Sequence, residues 1–243
     1  MSIRIEHGDC FDIMRALPAN AVELVLTDIP YDEVNDRAED QGGLRELDKG
    51  YADVATFELA PFVEELVRVC SGTFAVWCGT MQVSELMRLF RAHGLILPRV
   101  GVWEKTNPSP VNAQHFYVSG LEFCVLAKKR RCYYSRGYAK AKWTGPVVPS
   151  SRRRHVTEKP VWLFEEQLIA STLPGMTVLD PCAGAGPAAE AALRTGRNAI
   201  VCDIVEANFH NIRRRVSATR GAMWEAEFAA NPPRDVTASF VID

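Results

Sequence analysis

Several features that define common protein classes are absent from this 243-residue sequence. No run of 18 or more residues is apolar, which argues against a membrane-spanning helix. The first twelve residues carry charges and have no apolar core, so they do not resemble a secretory signal peptide. The seven cysteines are scattered and form no Cys-x-x-Cys pair, which argues against a disulfide framework and a zinc site. We therefore expect a cytoplasmic protein with reduced thiols, no membrane contact and no bound metal.

Acidic residues are also absent from one long stretch, between Glu122 and Glu158. Ten of the 28 lysines and arginines lie there, from Lys128 to Arg154, which leaves 18 basic against 30 acidic residues elsewhere. The net charge of −2 therefore hides an asymmetric distribution. Such a segment can neutralise phosphates, and its interleaved aromatic residues can stack on bases. A charged hairpin with aromatic residues packed beneath it is the alternative.

Strands alternate with helices along the chain, which is typical of a mostly parallel sheet covered by helices. The apolar runs predict strands at 3–6, 22–27, 73–77, 96–103, 121–129, 177–180 and 198–203. Helical spacing of apolar residues predicts helices at 10–17, 57–70, 81–94, 159–173, 187–195 and 206–216. We expect one α/β domain over residues 1–220, a basic insertion at about 128–154 and a loosely attached tail at 221–243. The polar segment 32–53 is expected to form a mobile loop.

The stretch 178–192 (VLDPCAGAGPAAEAA) has the pattern of a strand, a glycine turn and a helix. Gly184 and Gly186 would let a ligand approach the backbone, and Pro187 suits the first helical position. Asp203 ends the next strand, where a carboxylate can accept hydrogen bonds from both hydroxyls of a ribose. The pattern therefore favours a nucleoside-containing cofactor over a simple tight turn.

Two cofactors fit this pattern. Gly184, Gly186 and Ala189 satisfy the loose G-x-G-x-x-A form of the dinucleotide fingerprint, which keeps NAD as a rival. Asp180 ends the strand before the turn, where it could meet the ammonium or sugar of a smaller cationic cofactor. S-adenosyl-L-methionine (AdoMet) has an amino group, a ribose and a sulfonium but no pyrophosphate. Acids on two adjacent strand ends suit AdoMet better.

A further acidic strand end lies at 27–31 (TDIPY). The exocyclic amino group of adenine or cytosine is a poor nucleophile, because its lone pair is delocalised into the ring. Acceptors for its two N–H bonds would hold the nitrogen tetrahedral and stabilise the developing positive charge; Asp28 and the Ile29 carbonyl, held extended before Pro30, can supply them. Tyr31 could stack on a base rotated out of the duplex. On their own, these four residues would favour an ordinary strand-to-loop turn.

The order of the motifs resembles that of the β group of DNA amino-methyltransferases, in which the catalytic motif precedes the cofactor motif. TDIPY resembles the Asp-Pro-Pro-Tyr motif of that family, and residues 7–31 resemble its opening. The segment 102–110 (VWEKTNPSP) resembles the target-base pocket, and 155–189 resembles the run from a His-Pro-Thr-Glu-Lys-Pro-like motif into the glycine turn. The resemblance covers residues 1 to about 218. It implies an AdoMet-dependent methyltransferase (Rossmann-like) α/β fold with a mostly parallel twisted sheet, helices on both faces and permuted motif order.

The resemblance also implies roles for individual residues. The predicted catalytic residues are Asp28, Ile29, Pro30 and Tyr31. The predicted cofactor-binding residues are Asp9, Cys10, Thr157, Lys159, Asp180, Cys182, Ala183, Gly184, Gly186 and Asp203. The predicted DNA-binding residues are Lys105, Asn107, Lys128, Lys129, Arg130, Arg131, Arg136, Lys140, Lys142, Arg152, Arg153 and Arg154. A helix cap with a solvated lysine is the alternative for Thr157 and Lys159, and a polar strand exit is the alternative for Lys105 and Asn107.

Three residues depart from the family pattern. Ile29 and Val156 each replace a proline, and Ala185 stands where serine is frequent. None of these changes removes a required functional group, so activity is expected. Pro181–Cys182 looks like the Pro-Cys nucleophile of cytosine C5-methyltransferases. It lies in the cofactor turn and not at the strand end of Asp28, so nucleophilic catalysis is rejected and a small buried residue is expected.

These patterns predict a DNA methyltransferase that uses S-adenosyl-L-methionine to form N6-methyladenine, with DNA as partner and a homodimer as one possible assembly. Within the family, aspartate at the position of Asp28 favours adenine, whereas serine is more frequent in enzymes that methylate cytosine N4. Cytosine N4-methylation is the runner-up. A non-catalytic nucleic-acid-binding protein with the same fold is the alternative from a different class. An RNA substrate and an NAD dehydrogenase are less favoured.

Overall fold

A mixed sheet of eight strands runs through the part of the chain that the computed structural model describes, which comprises residues 1–31, 58–109, 115, 117–149, 151 and 158–230. The strands are β1 (Ile3–His7), β2 (Val22–Asp28), β3 (Cys70–Cys78), β4 (Ile96–Lys105), β5 (Leu121–Lys128), β6 (Lys142–Gly145), β7 (Thr177–Asp180) and β8 (Asn198–Asp203). Their order across the sheet is β1-β8-β7-β2-β3-β5-β4-β6. The first five strands in this spatial order, from β1 to β3, are mutually parallel. Strand β5 is antiparallel to β3 and β4, and β6 is parallel to β4. The predicted mostly parallel sheet is confirmed.

Helices cover both faces of the sheet, because the central strands are apolar on both sides. The helices are α1 (Cys10–Ala16), α2 (Leu59–Val69), α3 (Val83–Ala92), α4 (Val161–Ser171), α5 (Pro187–Thr195) and α6 (Glu206–Ala230). On β2, Val25 joins one buried cluster, which contains Phe62 of α2. Leu24 joins a second buried cluster, which contains Phe164 of α4 and Ile212 of α6. Each of these side chains gains about 1.5–3 kcal/mol from burial, and together they fix the helices on the sheet.

The parallel strands bring several acids to one edge of the sheet, which we call the carboxyl edge. Asp28 ends β2, Asp180 ends β7 and Asp203 ends β8, and these three strands are parallel within the sheet. Asp9 follows β1, which is parallel to β8. Glu122 also lies at this edge, because the antiparallel strand β5 begins there. The edge therefore gathers residues from distant parts of the sequence.

Most predicted boundaries agree with the structure to within a few residues, but two elements differ. Strand β6 was not predicted; it lies inside the basic segment and pairs with β4. Helix α6 continues to Ala230, beyond the predicted end of the last helix at residue 216. Gly221 is tolerated within the helix at a cost of about 1 kcal/mol, and Met223 packs against the second buried cluster.

Some predictions lie outside the described residues, namely those for the segment 32–53, for Arg152–Arg154, for Thr157 and for the tail from residue 231 onward. Within the described ranges, no helix is both long and apolar enough to cross a membrane. The same ranges contain no group of three or more His, Cys, Asp or Glu residues that could hold a metal ion.

Candidate active site

The glycine turn between β7 and α5 has the predicted form. Gly184 and Gly186 have φ angles of +50° and +76°, in the left-handed region that favours glycine. A Cβ atom on Gly186 would lie 2.9 Å from Ile212 Cγ1, so a side chain there would clash with α6. A Cβ atom on Gly184 would meet no described atom within 4 Å. The turn thus packs closely on one side and faces open space at Gly184.

Asp203 holds this turn through backbone hydrogen bonds. Its Oδ2 accepts a bond from the Gly184 N–H at 2.8 Å, and its Oδ1 accepts bonds from the Val205 N–H at 2.8 Å and from Asn208 Nδ2 at 3.1 Å. A carboxylate offers about four acceptor positions, so the three bonds leave room for about one more. The predicted bidentate contact with a ribose therefore requires that one of these bonds be shared or exchanged.

Asp180 ends β7 just before the glycine turn and is more deeply buried than Asp203, with 1% of its surface exposed. Its Oδ1 accepts a bond from the Cys182 N–H at 3.2 Å. Burial is the main cause that raises the pKa of Asp180 to about 7, and the negative charges of Asp28 and Asp203 add to it. A cationic ligand placed next to Asp180 would favour its ionised form.

Asp9 and Cys10 lie beside the same turn. Asp9 caps α1 by accepting a bond from the Phe11 N–H at 2.7 Å, and the preceding Gly8 N–H donates to the Asp203 carbonyl at 3.1 Å. The neighbouring Cys10 thiol and burial raise the pKa of the Cys182 thiol. Cys182 is therefore held as a neutral thiol, in agreement with the rejection of a nucleophilic role.

The residues of this turn fit a nucleoside-containing cationic cofactor. Two buried acids, Asp180 and Asp203, flank open space above Gly184, where the backbone can be approached closely. The carboxyl group of Asp180, at the end of the strand before the turn, is an unfavourable neighbour for the anionic pyrophosphate of a dinucleotide. These features suit AdoMet better than a dinucleotide.

The segment Asp28–Tyr31 is fixed by the neighbouring strand and by the turn after β3. The Ile29 N–H donates to the Trp77 carbonyl at 3.0 Å, and the Ile29 side chain is buried in the first core cluster. Gln82 is almost fully buried and its Nε2 donates to the Pro30 carbonyl at 2.9 Å. The loop is therefore held on both sides, although Ile29 replaces a proline that would stiffen it.

A buried cluster of charges surrounds Asp28. The ammonium of Lys159 donates to Asp28 Oδ2 at 2.7 Å, to Glu122 Oε2 at 2.7 Å and to the Tyr31 hydroxyl at 2.8 Å. The Tyr31 hydroxyl in turn donates to Asp28 Oδ1 at 2.9 Å. Glu122 Oε1 forms an ion pair with Lys105 Nζ at 2.6 Å. The cluster thus joins two carboxylates and two ammonium groups from four different segments.

This arrangement corrects two expectations. Lys159 is only 3% exposed, so the alternative of a solvated lysine is wrong. The Lys159 ammonium forms an ion pair with Asp28. Tyr31 is half-buried, with its hydroxyl bonded to Asp28 and the Lys159 ammonium 5.2 Å from its ring centre. Tyr31 is therefore anchored, whereas a tyrosine that stacks on an extruded base was expected to stay exposed.

The charges of the cluster shift the pKa values of its members. Burial would raise the pKa of Glu122, but the ammonium groups of Lys159 and Lys105 lower it to about 2. Burial raises the pKa of Asp28, and the Lys159 ammonium opposes this shift. Desolvation would lower the pKa of Lys159, but Asp28 and Glu122 together raise it. The cluster therefore favours ionised Glu122 and a protonated Lys159 at neutral pH.

Sequence reasoning missed Glu122 and Gln82. The only signal for Glu122 is an acid at the start of an otherwise apolar strand (LEFCVLA). Gln82 gives no signal of its own, because a glutamine near a helix start is ordinary. Both are recognised only when the strand order is known.

Comparison with known proteins places this geometry in a family. A family model described as DNA methylase (N6_N4_Mtase) matches residues 22–214. YubD of Escherichia coli (strain K12), whose name calls it a methylase, is 30% identical over 237 residues that cover 94% of this chain and 95% of YubD. The chain belongs to the N6/N4 DNA methylase family. The type II methyltransferase M2.DpnII of Streptococcus pneumoniae is 27% identical over 238 residues, which cover 87% of this chain and 88% of M2.DpnII.

Solved structures support the methylase fold. The M1.HpyAVI–SAM complex superposes with a TM-score of 0.68 at 22% identity and covers 88% of this chain and 99% of its own. The cytosine-N4-specific PvuII DNA methyltransferase superposes with a TM-score of 0.62 at 15% identity, over 91% of this chain and 93% of its own. The predicted AdoMet-dependent methyltransferase fold is confirmed.

The methylase carries the first part of its basic segment away from Asp28. Lys128 pairs with Thr73, near the start of β3, and is six residues from Glu122, or about 20 Å along the strand. The Lys129 ammonium donates to the Val67 carbonyl at 2.8 Å, at the same opposite edge of the sheet. Because β5 is antiparallel, four of the predicted DNA-binding residues lie at the edge of the sheet opposite Asp28. These are Lys128, Lys129, Arg130 and Arg131.

The remaining basic residues of the segment lie in different surroundings. Arg136 forms an ion pair with Glu166 of α4 at 2.8 Å, and Lys142 forms one with Glu104 of β4 at 2.8 Å. Lys140 is exposed. Trp143 was grouped with the base-stacking aromatics, but it packs beside Trp77, with ring centres 5.8 Å apart. Trp143 therefore belongs to the protein core.

Lys105 ends β4 at the carboxyl edge, and Asn107 follows two residues later. Lys105 is tied to Glu122 in the charge cluster. Asn107 Oδ1 accepts a bond from the Val147 N–H at 2.8 Å, which joins the exits of β4 and β6. The alternative of a polar strand exit therefore describes the structural contact of Asn107 well.

The raised pKa of Asp180 predicts a pH-dependent stability difference for Asp180→Asn. The folded pKa of about 7 exceeds the ordinary value of 3.8, so the unfolded chain loses this proton first as pH rises. Asp180 therefore lowers stability progressively between about pH 4 and pH 7, and the asparagine variant lacks this effect. Urea unfolding should show the variant gaining about 3 kcal/mol relative to the parent between pH 4.5 and pH 7.5.

Asp12→Asn serves as the matched control, because Asp12 is exposed and the substitution makes the same chemical change. Its difference from the parent should vary little over this range. A difference for Asp180→Asn that is equally constant would contradict a raised pKa.

Proposed function

We propose that this methylase uses AdoMet to methylate the exocyclic N6 amino group of adenine in DNA. The observation that carries the proposal is the meeting of Asp28 and the glycine turn at one edge of the sheet. An acceptor for an amino group and a site for a cationic nucleoside cofactor thereby become neighbours. Membership of the N6/N4 DNA methylase family supports the same reaction.

The cofactor site consists of residues from three strand ends. Asp203 would accept from the ribose, and Asp180 would meet positive charge on the methionine part, because its burial makes a cationic partner favourable. Asp9, Cys10 and Gly184 would surround the adenosine part. AdoMet supplies an electrophilic methyl group on its sulfonium.

Asp28 and the Ile29 carbonyl would accept hydrogen bonds from the amino group of the target base. These bonds stabilise the positive charge that develops on the nitrogen and are typically the largest contribution of such a site. The amino group loses one N–H proton in the overall reaction. Asp28 is placed to take that proton, since burial raises its pKa.

Tyr31 would stack on a base extruded from the duplex. Its hydroxyl is tied to Asp28 and Lys159, so the ring is oriented before the base arrives. Base–aromatic stacking contributes about 1–3 kcal/mol, which is comparable to the cost of extruding a base. The anchored ring adds little entropic cost on binding.

Adenine is favoured over cytosine because the acceptor is aspartate. Within the resembled family, serine at this position is more frequent in enzymes that methylate cytosine N4. Cytosine N4-methylation is kept as the second candidate, because the cytosine-N4-specific PvuII enzyme has the same fold. We also propose that the protein acts in the cytoplasm, where its seven free cysteines would stay reduced.

Mass spectrometry of nucleosides tests the reaction and the base together. Unmethylated DNA is incubated with the protein and methyl-labelled AdoMet, then digested. We expect the label on N6-methyladenine. A parallel incubation with RNA of the same sequence is the control and should carry little label.

Label on N4-methylcytosine would keep the amino-transfer chemistry and contradict the choice of adenine. Label on 5-methylcytosine would contradict the chemistry itself. No label on DNA, with AdoMet binding intact, would favour a non-catalytic nucleic-acid-binding role.

Two variants with equal loss of charge test which basic residues bind DNA. In the sequence, Arg152–Arg154 lie between Gly145 and Lys159, and Gly145 and Lys159 are both at the carboxyl edge. The other set, Lys128, Arg130 and Arg131, lies around the opposite end of β5. Replacing Arg152–Arg154 with glutamine should weaken DNA binding and reduce the dependence of log Kd on log salt by up to about 3.

Replacing Lys128, Arg130 and Arg131 with glutamine should leave DNA affinity and its salt dependence nearly unchanged. Both are measured by fluorescence anisotropy at several salt concentrations. An equal loss in the two variants would show that DNA also contacts the opposite edge.

A further inference from the structure

Glu122 lies in the charge cluster but has no role in the proposed reaction so far. It shares the Lys159 ammonium with Asp28, and its other oxygen is held by Lys105 at 2.6 Å. Its side chain is about one fifth exposed, and it comes from β5, a strand that contributes no other group to the cluster. Its position therefore requires an explanation of its own.

The three N–H bonds of Lys159 are all used within this cluster. They reach Asp28, Glu122 and Tyr31 at 2.7–2.8 Å, and an ammonium has three donors. A buried ammonium that loses its partners is strongly destabilising. Lys159 is therefore held in place by all three partners, of which Asp28 and Glu122 carry negative charge.

The target amino group would approach a carboxylate that two donors already hold. Asp28 Oδ2 accepts from Lys159 and Oδ1 accepts from Tyr31, so about two of its four acceptor positions stay open to an incoming N–H. Lys159 is the charged donor of the two, and charge-assisted bonds are the stronger ones, so its position governs the orientation of the carboxylate. Glu122 holds the same ammonium at the same distance of 2.7 Å.

We propose that Glu122 is a positioning residue for methyl transfer, which anchors Lys159 so that the ammonium holds Asp28 ionised and oriented for the target amino group. The inference rests on the proposed function and deepens it. Lys159 fixed in this way is in place before the base arrives. Lys105 fixes Glu122 from the other side.

The same geometry predicts opposite pH effects for two variants. The charged or titratable groups around Asp28 are Lys159, Glu122, Tyr31, Asp180 and Cys124, with Lys105 beyond Glu122 and Cys78 beside Tyr31. Glu122 raises the pKa of Asp28, whereas Lys159 lowers it. Glu122→Gln should therefore move the acidic limb of the kcat profile to lower pH, and Lys159→Met should move it to higher pH.

The test combines kinetics with AdoMet binding measured by calorimetry. For Glu122→Gln we expect kcat to fall by up to about 100-fold, the AdoMet Kd to stay near the parent value and the acidic limb to move down. Glu65→Gln is the matched control, because Glu65 pairs with Arg68 on α2, outside the cluster. This substitution should change neither kcat nor the AdoMet Kd nor the acidic limb. Glu122→Asp keeps the negative charge and should restore part of kcat, and it replaces the glutamine variant if that variant does not fold.

The inference would be overturned if Glu122→Gln kept the parental kcat. It would also be overturned if the acidic limbs of the Glu122→Gln and Lys159→Met profiles moved in the same direction. Either result would leave the proposed function intact. If the parent itself transfers no methyl group, the proposed function fails separately. In that case ¹³C NMR titration of the Asp28 carboxyl group still decides the inference. A pKa of Asp28 that does not fall in Glu122→Gln would overturn it.

Discussion

The parallel alignment of five neighbouring strands is the constraint on which the site depends. It brings the ends of β2, β7 and β8 to one edge, and each of these strands ends in aspartate. Close acids in a partly buried place repel one another and lose hydration. The fold must therefore compensate each of them, and it does so in three different ways.

Asp203 is compensated by backbone and amide N–H donors, including that of Gly184. Asp28 is compensated by the ammonium of Lys159. Burial raises the pKa of Asp180 to about 7, because the Thr27 side chain and one backbone N–H bond only partly offset the lost hydration and no cation of the described residues lies beside it. The least compensated acid thus lies between the other two, where a cationic cofactor would complete the balance of charge.

Arg215 links the segment that carries Lys159 to the glycine turn. Arg215 of α6 donates to the Ala185 carbonyl at 2.9 Å and to Glu158 Oε1 at 2.7 Å, and it also pairs with Glu190 of α5. Glu158 directly precedes Lys159 in the chain. One buried guanidinium therefore fixes the position of the cofactor turn relative to the lysine that reaches Asp28.

Local signals predicted most of the fold, and long-range geometry accounts for what was missed. Strands β7 and β8 and helix α5 were predicted at their observed bounds, because apolar runs and a Gly-x-Gly-Pro turn mark them directly. The roles of Glu122 and of Lys128–Arg131 depend on the direction of β5, which no local pattern encodes. An antiparallel strand brings Glu122 to Asp28 and carries the basic residues to the opposite edge. The charge of the basic segment 128–154 therefore suggested one DNA interface, whereas the fold places its first four basic residues at the edge opposite Asp28.

The most direct test of the account replaces Asp28 with asparagine and measures single-turnover methyl transfer together with AdoMet affinity. Asparagine keeps the shape of the side chain but loses the negative charge and the proton acceptor. We predict that transfer falls by at least about 100-fold while AdoMet binding is largely retained. Asp203→Asn, in contrast, should weaken AdoMet binding. Near-parental transfer by Asp28→Asn, or loss of AdoMet binding in parallel with transfer, would contradict the assignment of Asp28 as the acceptor for the target amino group.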